Sequence, residues 1–152
     1  LARRMVRMAS EDVGLADPTS LMIAVAAAQA LEHVGLPEAQ LNLSQAAIHL
    51  ATAPKSNRAA LAIWNARSDV QSGAVGEVPP HLRDAHYGGA KTLGHGTRYE
   101  YPHDHPDGWV DQQYLPAEQA DKRYYEPTEH GREREVRDRM ARRQRGGGGG
   151  SE

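Results

Sequence analysis

The chain has 152 residues, a net charge of −2, 39% hydrophobic residues and no cysteine. Without cysteine it can form no disulfide, no thiolate nucleophile and no cysteine-ligated zinc site. Residues 1 to 131 carry 16 acidic and 11 basic side chains, an acidic balance that argues against a broad nucleic-acid-binding face. The length suffices for one domain core, and the lack of a recognisable signal sequence favours a cytoplasmic location.

Residues 1 to 72 predict a helical bundle, because they contain 17 of the alanines while the rest of the chain contains six. The first helix is predicted over residues 1 to 13, with Met5 and Met8 on its apolar face and Gly14 as its stop. The sequence starts with Leu rather than Met and lies within this helical pattern from its first residue. We therefore expect the chain to be part of a longer protein.

The second predicted helix is nearly all apolar and runs from Asp17 to Gly35. Asp17 is a good N-cap, Pro18 suits the first helical position, and Gly35 can adopt the left-handed conformation that ends a helix. Residues 21 to 28 include no polar side chain, so we expect neighbours on all sides of this core helix. Three polar residues interrupt the apolar run too early for a membrane span: Gln29, Glu32 and His33.

Two further helices are predicted, over residues 37 to 53 and from Ser56 to about Gln71. Pro37 suits a first helical position, Ser56 is an N-cap, and Gly73 can stop the last turn. The helix over residues 37 to 53 has an apolar stripe made of Leu43, Ala47, Leu50 and Ala51, widened by Leu41 and Ile48. The short connections predict that helices two to four form an antiparallel, up-and-down bundle. Because alanine buries little area, a second copy could supply the missing apolar cover.

A segment rich in Pro, Gly and Tyr, residues 73 to 131, is predicted to be an irregular arm folded back on the bundle. Its four prolines between residues 102 and 127 exclude regular central strands. Short strands could still form a hairpin from residues 97 to 101, 113 to 115 or 123 to 125. Four aromatic side chains are candidate anchors of the arm, since their rings can be buried while their polar atoms find partners: Trp109, Tyr114, Tyr124 and Tyr125.

Residues 132 to 145 predict a charged terminal helix, and residues 146 to 152 a flexible tail. Three ion pairs are expected at i,i+4 spacing in this helix: Glu133 with Arg137, Glu135 with Arg139, and Asp138 with Arg142. Arginines on the first and last helices are candidates for DNA contact, although a solvated face is the commoner meaning of such a charge run. These candidates are Arg3, Arg4, Arg7, Arg137 and Arg142.

No catalytic, cofactor-binding or metal-binding residue is predicted. The sequence contains no phosphate-binding loop and no dinucleotide-binding glycine motif, and none of its serines lies in a nucleophile elbow, so this chain alone is not expected to be an enzyme. The loop over residues 103 to 107 contains imidazoles and carboxylates but no third ligand at a characteristic spacing, and His49 stands alone. A tight turn held by Asp104 and Asp107 is the expected structure of that loop.

Five stretches taken together resemble one family, the replication-associated recombination protein A (MgsA) family, bacterial relatives of the Werner helicase-interacting protein. They are ASEDVGLADP at 9 to 18, APKSN at 53 to 57, VPPHLRDA at 78 to 85, YPHDHPDGWVDQQYLP at 101 to 116 and RYYEPTEHG at 123 to 131. The resemblance covers residues 1 to about 142. It implies an all-α fold similar to the collar domain of clamp loaders, with residues 1 to 131 as an oligomerisation domain.

The resemblance also implies a function. Full-length members are clamp-loader-like AAA+ ATPases, and this chain is similar only to their C-terminal part, so ATP and Mg²⁺ are implied for a module outside it. The implied role is to hold the ATPase as a homotetramer that acts on DNA at stalled replication forks. The implied location is the bacterial cytoplasm, and no membrane is expected among the partners. Implied partners are other copies of the chain, DNA through the parent protein, and fork proteins such as single-strand binding protein. The alternative is a module that binds DNA or docks replication proteins directly through the arginine-bearing helices.

Overall fold

The computed structural model describes residues 1–73, 76–84, 86, 88, 96–105 and 108–146. Within these residues the chain is all-α, as predicted, with five α-helices and no strand. The helices are α1 (Ala2–Met8), α2 (Thr19–Val34), α3 (Gln40–Thr52), α4 (Arg58–Gln71) and α5 (Glu133–Gly146). No helix in the described ranges is long and apolar enough to cross a membrane.

The residues group into two compact units. One, the helical unit, combines Leu1–Ala66 with Tyr124–Arg139, and the second contains the described residues of 67–123 and 140–146. Residues 124 to 139, which comprise the end of the predicted arm and the first half of α5, therefore belong with the first three helices and most of α4.

A small core joins α1, α2 and α3, which pack on one another. After Met8 the chain continues through one π-helical turn, Ala9–Val13, and Gly14 ends it with φ of 54°, as predicted. The buried core side chains are mostly small: Met5, Ala9, Val13, Ala24, Ala27, Ala46 and Leu50. The prediction that helices two to four form the bundle is wrong. The helices that pack on one another are α1, α2 and α3, and α4 packs closely on no other helix among the described residues.

The start and end of α2 agree with the prediction. Asp17 has an extended backbone, and its carboxylate accepts the backbone N–H of Thr19 at 3.2 Å, while Gly35 ends the helix with φ of 76°. The expected neighbours on all sides are not supplied within one chain. The buried face consists of Ser20, Ala24 and Ala27, whereas Leu21, Met22 and Val25 are exposed. One chain supplies partners for a single face of this apolar helix.

Helix α3 starts at Gln40 rather than at Pro37. Residues 36 to 39 form a turn instead, in which Ala39 donates its N–H to the Gly35 carbonyl at 2.8 Å. The predicted apolar stripe is confirmed for Leu50, which is buried, and for Leu43, which packs half-buried against the core. Four other members of the stripe are exposed, namely Leu41, Ala47, Ile48 and Ala51, and the buried Ala46 was not counted in it. At the end of α3, the Lys55 ammonium donates to the Leu50 carbonyl at 2.8 Å.

Helices α4 and α5 begin and end near the predicted residues. The Ser56 hydroxyl accepts the N–H of Arg58 at 3.3 Å, which confirms Ser56 as a cap, and Gly73 follows α4 with φ of 81°. The three ion pairs predicted along α5 are absent from the described residues. Glu133 is buried away from Arg137, which instead pairs with Glu129 and Asp138.

The predicted strands are also absent from residues 97–101, 113–115 and 123–125, all of which the structure describes. A turn with Arg98 at φ of 66° interrupts the first of them. The Glu100 carbonyl is bonded by a side chain instead of by the backbone of a neighbouring strand, since Gln112 Nε2 donates to it at 2.7 Å. The described residues of the second unit include three short 3-10 turns, at Pro80–Leu82, Pro102–Asp104 and Ala117–Gln119.

Candidate functional site

A fully buried carboxylate, Glu133, lies at the start of α5 and accepts four hydrogen bonds. Its Oε2 accepts the Ser56 hydroxyl at 2.8 Å and both the hydroxyl and the backbone N–H of Thr128, at 2.7 and 2.8 Å. Its Oε1 accepts the Tyr125 hydroxyl at 3.0 Å. We call these four residues the Glu133 cluster. Sequence reasoning missed it because it treated Glu133 as one charge of a solvated helix face.

The hydrogen bonds keep Glu133 ionised without a cation. Burial alone raises the pKa of this carboxyl, but the bonds from Thr128, Ser56 and Tyr125 outweigh burial and lower it overall. Burial raises the pKa of Tyr125, and the bond to the carboxylate raises it further, so the phenol stays protonated as a donor. The cluster is therefore a stable structural contact, with no group poised to exchange a proton near neutral pH.

Backbone contacts around the cluster join three of the stretches that resemble the family. The N–H of Ser56 donates to the Asp12 carbonyl and that of Arg132 to the Ala16 carbonyl, both at 2.8 Å. Gly131 has φ of 51°, and a Cβ there would lie 2.1 Å from the Ala16 oxygen, so only glycine permits this approach. Residues 9 to 18, 53 to 57 and 123 to 131 thus meet at one place.

A second polar cluster consists of Asp17, Ser20 and His49. His49 Nε2 lies 2.8 Å from Asp17 Oδ2 and 3.0 Å from the Ser20 hydroxyl, which itself donates to Asp17 at 2.9 Å. A hydrolase triad needs the serine and the carboxylate at different ring nitrogens, whereas both lie at Nε2 here, and Ser20 is fully buried. The cluster fixes the end of α3 to the start of α2.

Two of the five arginines predicted to contact DNA are held by carboxylates. Arg7 Nε donates to Glu11 at 2.5 Å, and Arg137 is bound by Glu129 and Asp138. The other three have exposed side chains: Arg3, Arg4 and Arg142. Their contact with DNA stays a prediction.

The four aromatic residues predicted to anchor the arm differ in burial. Trp109, Tyr124 and Tyr125 are half-buried, and the Tyr125 hydroxyl belongs to the Glu133 cluster. Tyr114 is 49% exposed, and its hydroxyl accepts Gln112 Nε2 at 3.1 Å. Their role as anchors stays a prediction.

The loop with two histidines brings His105 Nε2 to 3.6 Å from the Glu100 carboxylate. Within the described ranges, no three His, Asp or Glu side chains are placed to share a metal ion. Asp107, which was expected to stabilise the turn, lies outside the described residues.

Large apolar side chains remain uncovered on α2 and α3. On α2, Leu21, Met22 and Val25 are 41%, 62% and 36% exposed, and on α3, Leu41 and Ile48 are 78% and 63% exposed. Soluble monomers rarely leave such groups of apolar side chains in water. This surface is therefore the strongest candidate for an interaction site.

The sequence from residue 1 to residue 144 matches the family model described as MgsA AAA+ ATPase C terminal. It is 54% identical over 142 residues to an uncharacterized AAA domain-containing protein of Mycobacterium tuberculosis, covering 93% of this chain and 31% of that protein. It is 48% identical over 132 residues to the replication-associated recombination protein A of Bacillus subtilis, covering 87% and 31%. It is 41% identical over 127 residues to the ATPase WRNIP1 of Dictyostelium discoideum, covering 83% and 14%. The chain spans less than a third of the length of each of these relatives.

Proposed function

The chain belongs to the family of MgsA AAA+ ATPase C-terminal domains, and we propose that it joins the subunits of a larger ATPase into a homotetramer. The Bacillus subtilis relative is named as a replication-associated recombination protein. The parent of this chain accordingly acts in replication, recombination and repair of DNA, at stalled forks, as a clamp-loader-like machine. Its ATP and Mg²⁺ bind in a module outside these 152 residues.

The observation that carries this proposal is the uncovered apolar surface of α2 and α3. Burying one large aliphatic side chain completely is worth about 1.5–3 kcal/mol, so covering five partly exposed ones contributes several kcal/mol to association. The core supports the same conclusion, since four of its seven buried side chains are alanine. A fold with so little apolar volume gains stability when copies cover one another.

Light scattering on the isolated chain tests the proposal. Over a hundredfold dilution we expect a mass near four times the 16.6 kDa of one chain. A dimer would show that these residues carry only part of the assembly. A monomer at every concentration would contradict the proposal and assign assembly to the rest of the parent protein.

A second candidate function is direct binding of DNA or of a replication protein through the arginine-bearing helices. It is favoured by Arg3 and Arg4, whose exposed guanidinium groups make no ion pair within the described residues. Fluorescence anisotropy with labelled single-stranded DNA separates the two functions. Micromolar binding that weakens with salt, and that the double variant Arg3→Gln with Arg4→Gln removes, would favour the second. The assembly proposal predicts no such binding by this chain.

A further inference from the structure

We propose that a cleft in the second unit binds a small ligand through its phosphate group, and that Arg98 contacts this phosphate. The cleft is separate from the apolar side chains of α2 and α3, and the inference does not depend on the assembly function.

The cleft lies where three segments of the second unit meet. Its volume is about 330 Å³, and its lining consists of Pro80, His81, Thr97, Arg98, Gln112 and Gln113. Binding sites for small molecules usually measure roughly 300–1,000 Å³. The cleft therefore has the size of a site for a small molecule.

The backbone of Arg98 is held in a conformation that arginine rarely adopts. Arg98 has φ of 66°, the only positive φ at a residue other than glycine within the described ranges. The N–H of Gly96 donates to the Pro80 carbonyl at 2.9 Å and joins this turn to another segment that lines the cleft. Glycine would adopt the same φ without strain, and strained residues are frequent at binding sites. The turn itself therefore does not require arginine, and a binding role explains its side chain.

The charge of the cleft differs from that of the chain around it. Residues 67 to 123 contain nine acidic and six basic side chains, yet none of the six lining residues is acidic. Arg98 is exposed and makes no ion pair with any residue that the structure describes. The carboxylate of Glu100, two residues further on, lies 3.6 Å from His105 Nε2. The cleft therefore keeps a positive charge that attracts an anion.

His81 can supply a second donor to the same anion. Its Nε2 lies 2.7 Å from the Gln113 carbonyl oxygen, and because a carbonyl only accepts, Nε2 carries the hydrogen. This bond fixes the imidazole ring beside Gln113, which also lines the cleft. The other ring nitrogen, Nδ1, becomes a donor when the ring takes up a proton, and a bound anion favours that charged form.

Phosphate matches these donors better than a carboxylate does. Its three terminal oxygens can accept from the Arg98 guanidinium, the His81 ring and the Thr97 hydroxyl together, whereas a carboxylate has only two oxygens. Hydrogen bonds between an arginine and a phosphate are also among the strong, charge-assisted ones. Inorganic phosphate and a phosphate monoester present these same oxygens, so both are ligands of the proposed class.

Titration of the whole chain with inorganic phosphate at constant ionic strength tests the inference. In NMR spectra, the backbone N–H signals of Gly96, Thr97 and Gln113 should shift and then saturate. We expect a dissociation constant on the order of 1 mM, which Arg98→Gly should raise at least about tenfold because it removes the guanidinium. The melting temperature of Arg98→Gly should stay close to that of the wild type, since glycine adopts the positive φ without strain.

Arg123→Gln is the matched control, because Arg123 is an exposed arginine of the same unit outside the cleft. It should leave phosphate binding unchanged. A parallel titration with adenosine monophosphate separates the two sources of phosphate: tighter binding than that of inorganic phosphate assigns the cleft to a monoester, and equal or weaker binding assigns it to free phosphate. No saturation up to about 20 mM of either ligand, or equal weakening in Arg98→Gly and Arg123→Gln, would overturn the site.

Discussion

The Ser56 hydroxyl donates a hydrogen bond to the buried carboxylate of Glu133 at 2.8 Å, although 77 residues separate them. This bond ties the connection between α3 and α4 to the first residue of α5. Thr128 and Tyr125 complete the contact from the segment that leads into α5. Two of the stretches that resemble the MgsA family, 53 to 57 and 123 to 131, therefore contribute side chains to one buried structural contact.

Replacing Glu133 with Gln should destabilise the fold strongly. The amide can accept at only one atom, so donors that now reach the second oxygen lose their partner or face another N–H group. A hydrogen bond to a charged group contributes about 1.5–3 kcal/mol, so we expect the free energy of unfolding to fall by about 3 kcal/mol in urea titrations.

Glu135→Gln is the matched control for this change. Glu135 is exposed on the same helix and lies 3.9 Å from Arg132, a surface pair worth about 0–1 kcal/mol. Equal losses in the two variants would show that the cost comes from the charge near the start of α5 and not from the cluster.

Acid should weaken the fold through the same carboxylate. The pKa of Glu133 is lower in the folded state than in the unfolded state, so the unfolded chain binds more protons as the pH falls. The carboxylate thus contributes stability above its unfolded pKa and loses it as the pH drops through the folded pKa. We expect the free energy of unfolding to fall progressively as the pH drops below about 5.

The Glu133→Gln variant should lose stability less steeply over that pH range. Some slope should remain, because hydrogen bonds from Thr19, Ser20 and His49 outweigh burial and lower the pKa of Asp17 as well. Parallel curves for the wild type and Glu133→Gln would contradict the role given to Glu133.

Local residue types allowed the helices to be predicted. Asp17, Gly35, Ser56 and Gly73 act through neighbouring backbone atoms, so their effects can be read from sequence. The faces of the helices were harder to assign. An alanine-rich helix shows almost no contrast between its sides, and for this reason the stripe predicted on α3 included Leu50 correctly but counted Ala47 in place of the buried Ala46.

The Glu133 cluster could not be predicted, because its partners are distant in sequence and individually ordinary. A Glu among arginines looks like half of a surface pair, and nothing local shows that Ser56 will reach it. His49 was missed for the same reason, since Asp17 and Ser20 come from another helix. The uncovered surface was anticipated only in general terms, from the small size of alanine.

Replacing Trp109 with Ala tests whether the irregular segment is packed, as the sequence predicts. The indole is half-buried and precedes Val110, which is 7% exposed. Truncating a fully buried Trp costs about 3–5 kcal/mol, so about 2 kcal/mol is expected here, or a melting temperature roughly 4–8 °C lower.

Trp64→Ala is the control for the loss of an indole, because Trp64 is 48% exposed on α4. It should lower the melting temperature less than Trp109→Ala does. A melting temperature unchanged by Trp109→Ala would mean that the segment is not packed and that its aromatic residues are not anchors.

Gly131→Ala should disrupt the junction between α5 and the first helices. The new Cβ would lie 2.1 Å from the Ala16 oxygen and 2.7 Å from Pro54 Cγ, and φ of 51° adds the penalty of a left-handed residue, about 1–2 kcal/mol. Relieving the overlap moves the Ala16 carbonyl away from the Arg132 N–H that it now accepts. We expect a total loss above about 3 kcal/mol in chemical denaturation.

Gly35→Ala isolates the backbone part of that cost. Gly35 has φ of 76°, but a Cβ added there would have no atom within 4 Å, so only the left-handed penalty of about 1–2 kcal/mol applies. The difference between the two variants measures the close approach at Gly131. If both variants lost the same free energy of unfolding, the close contact between Gly131 and Ala16 would not constrain the fold. The two segments could then move apart at this point, even though Arg132 donates its N–H to the Ala16 carbonyl at 2.8 Å.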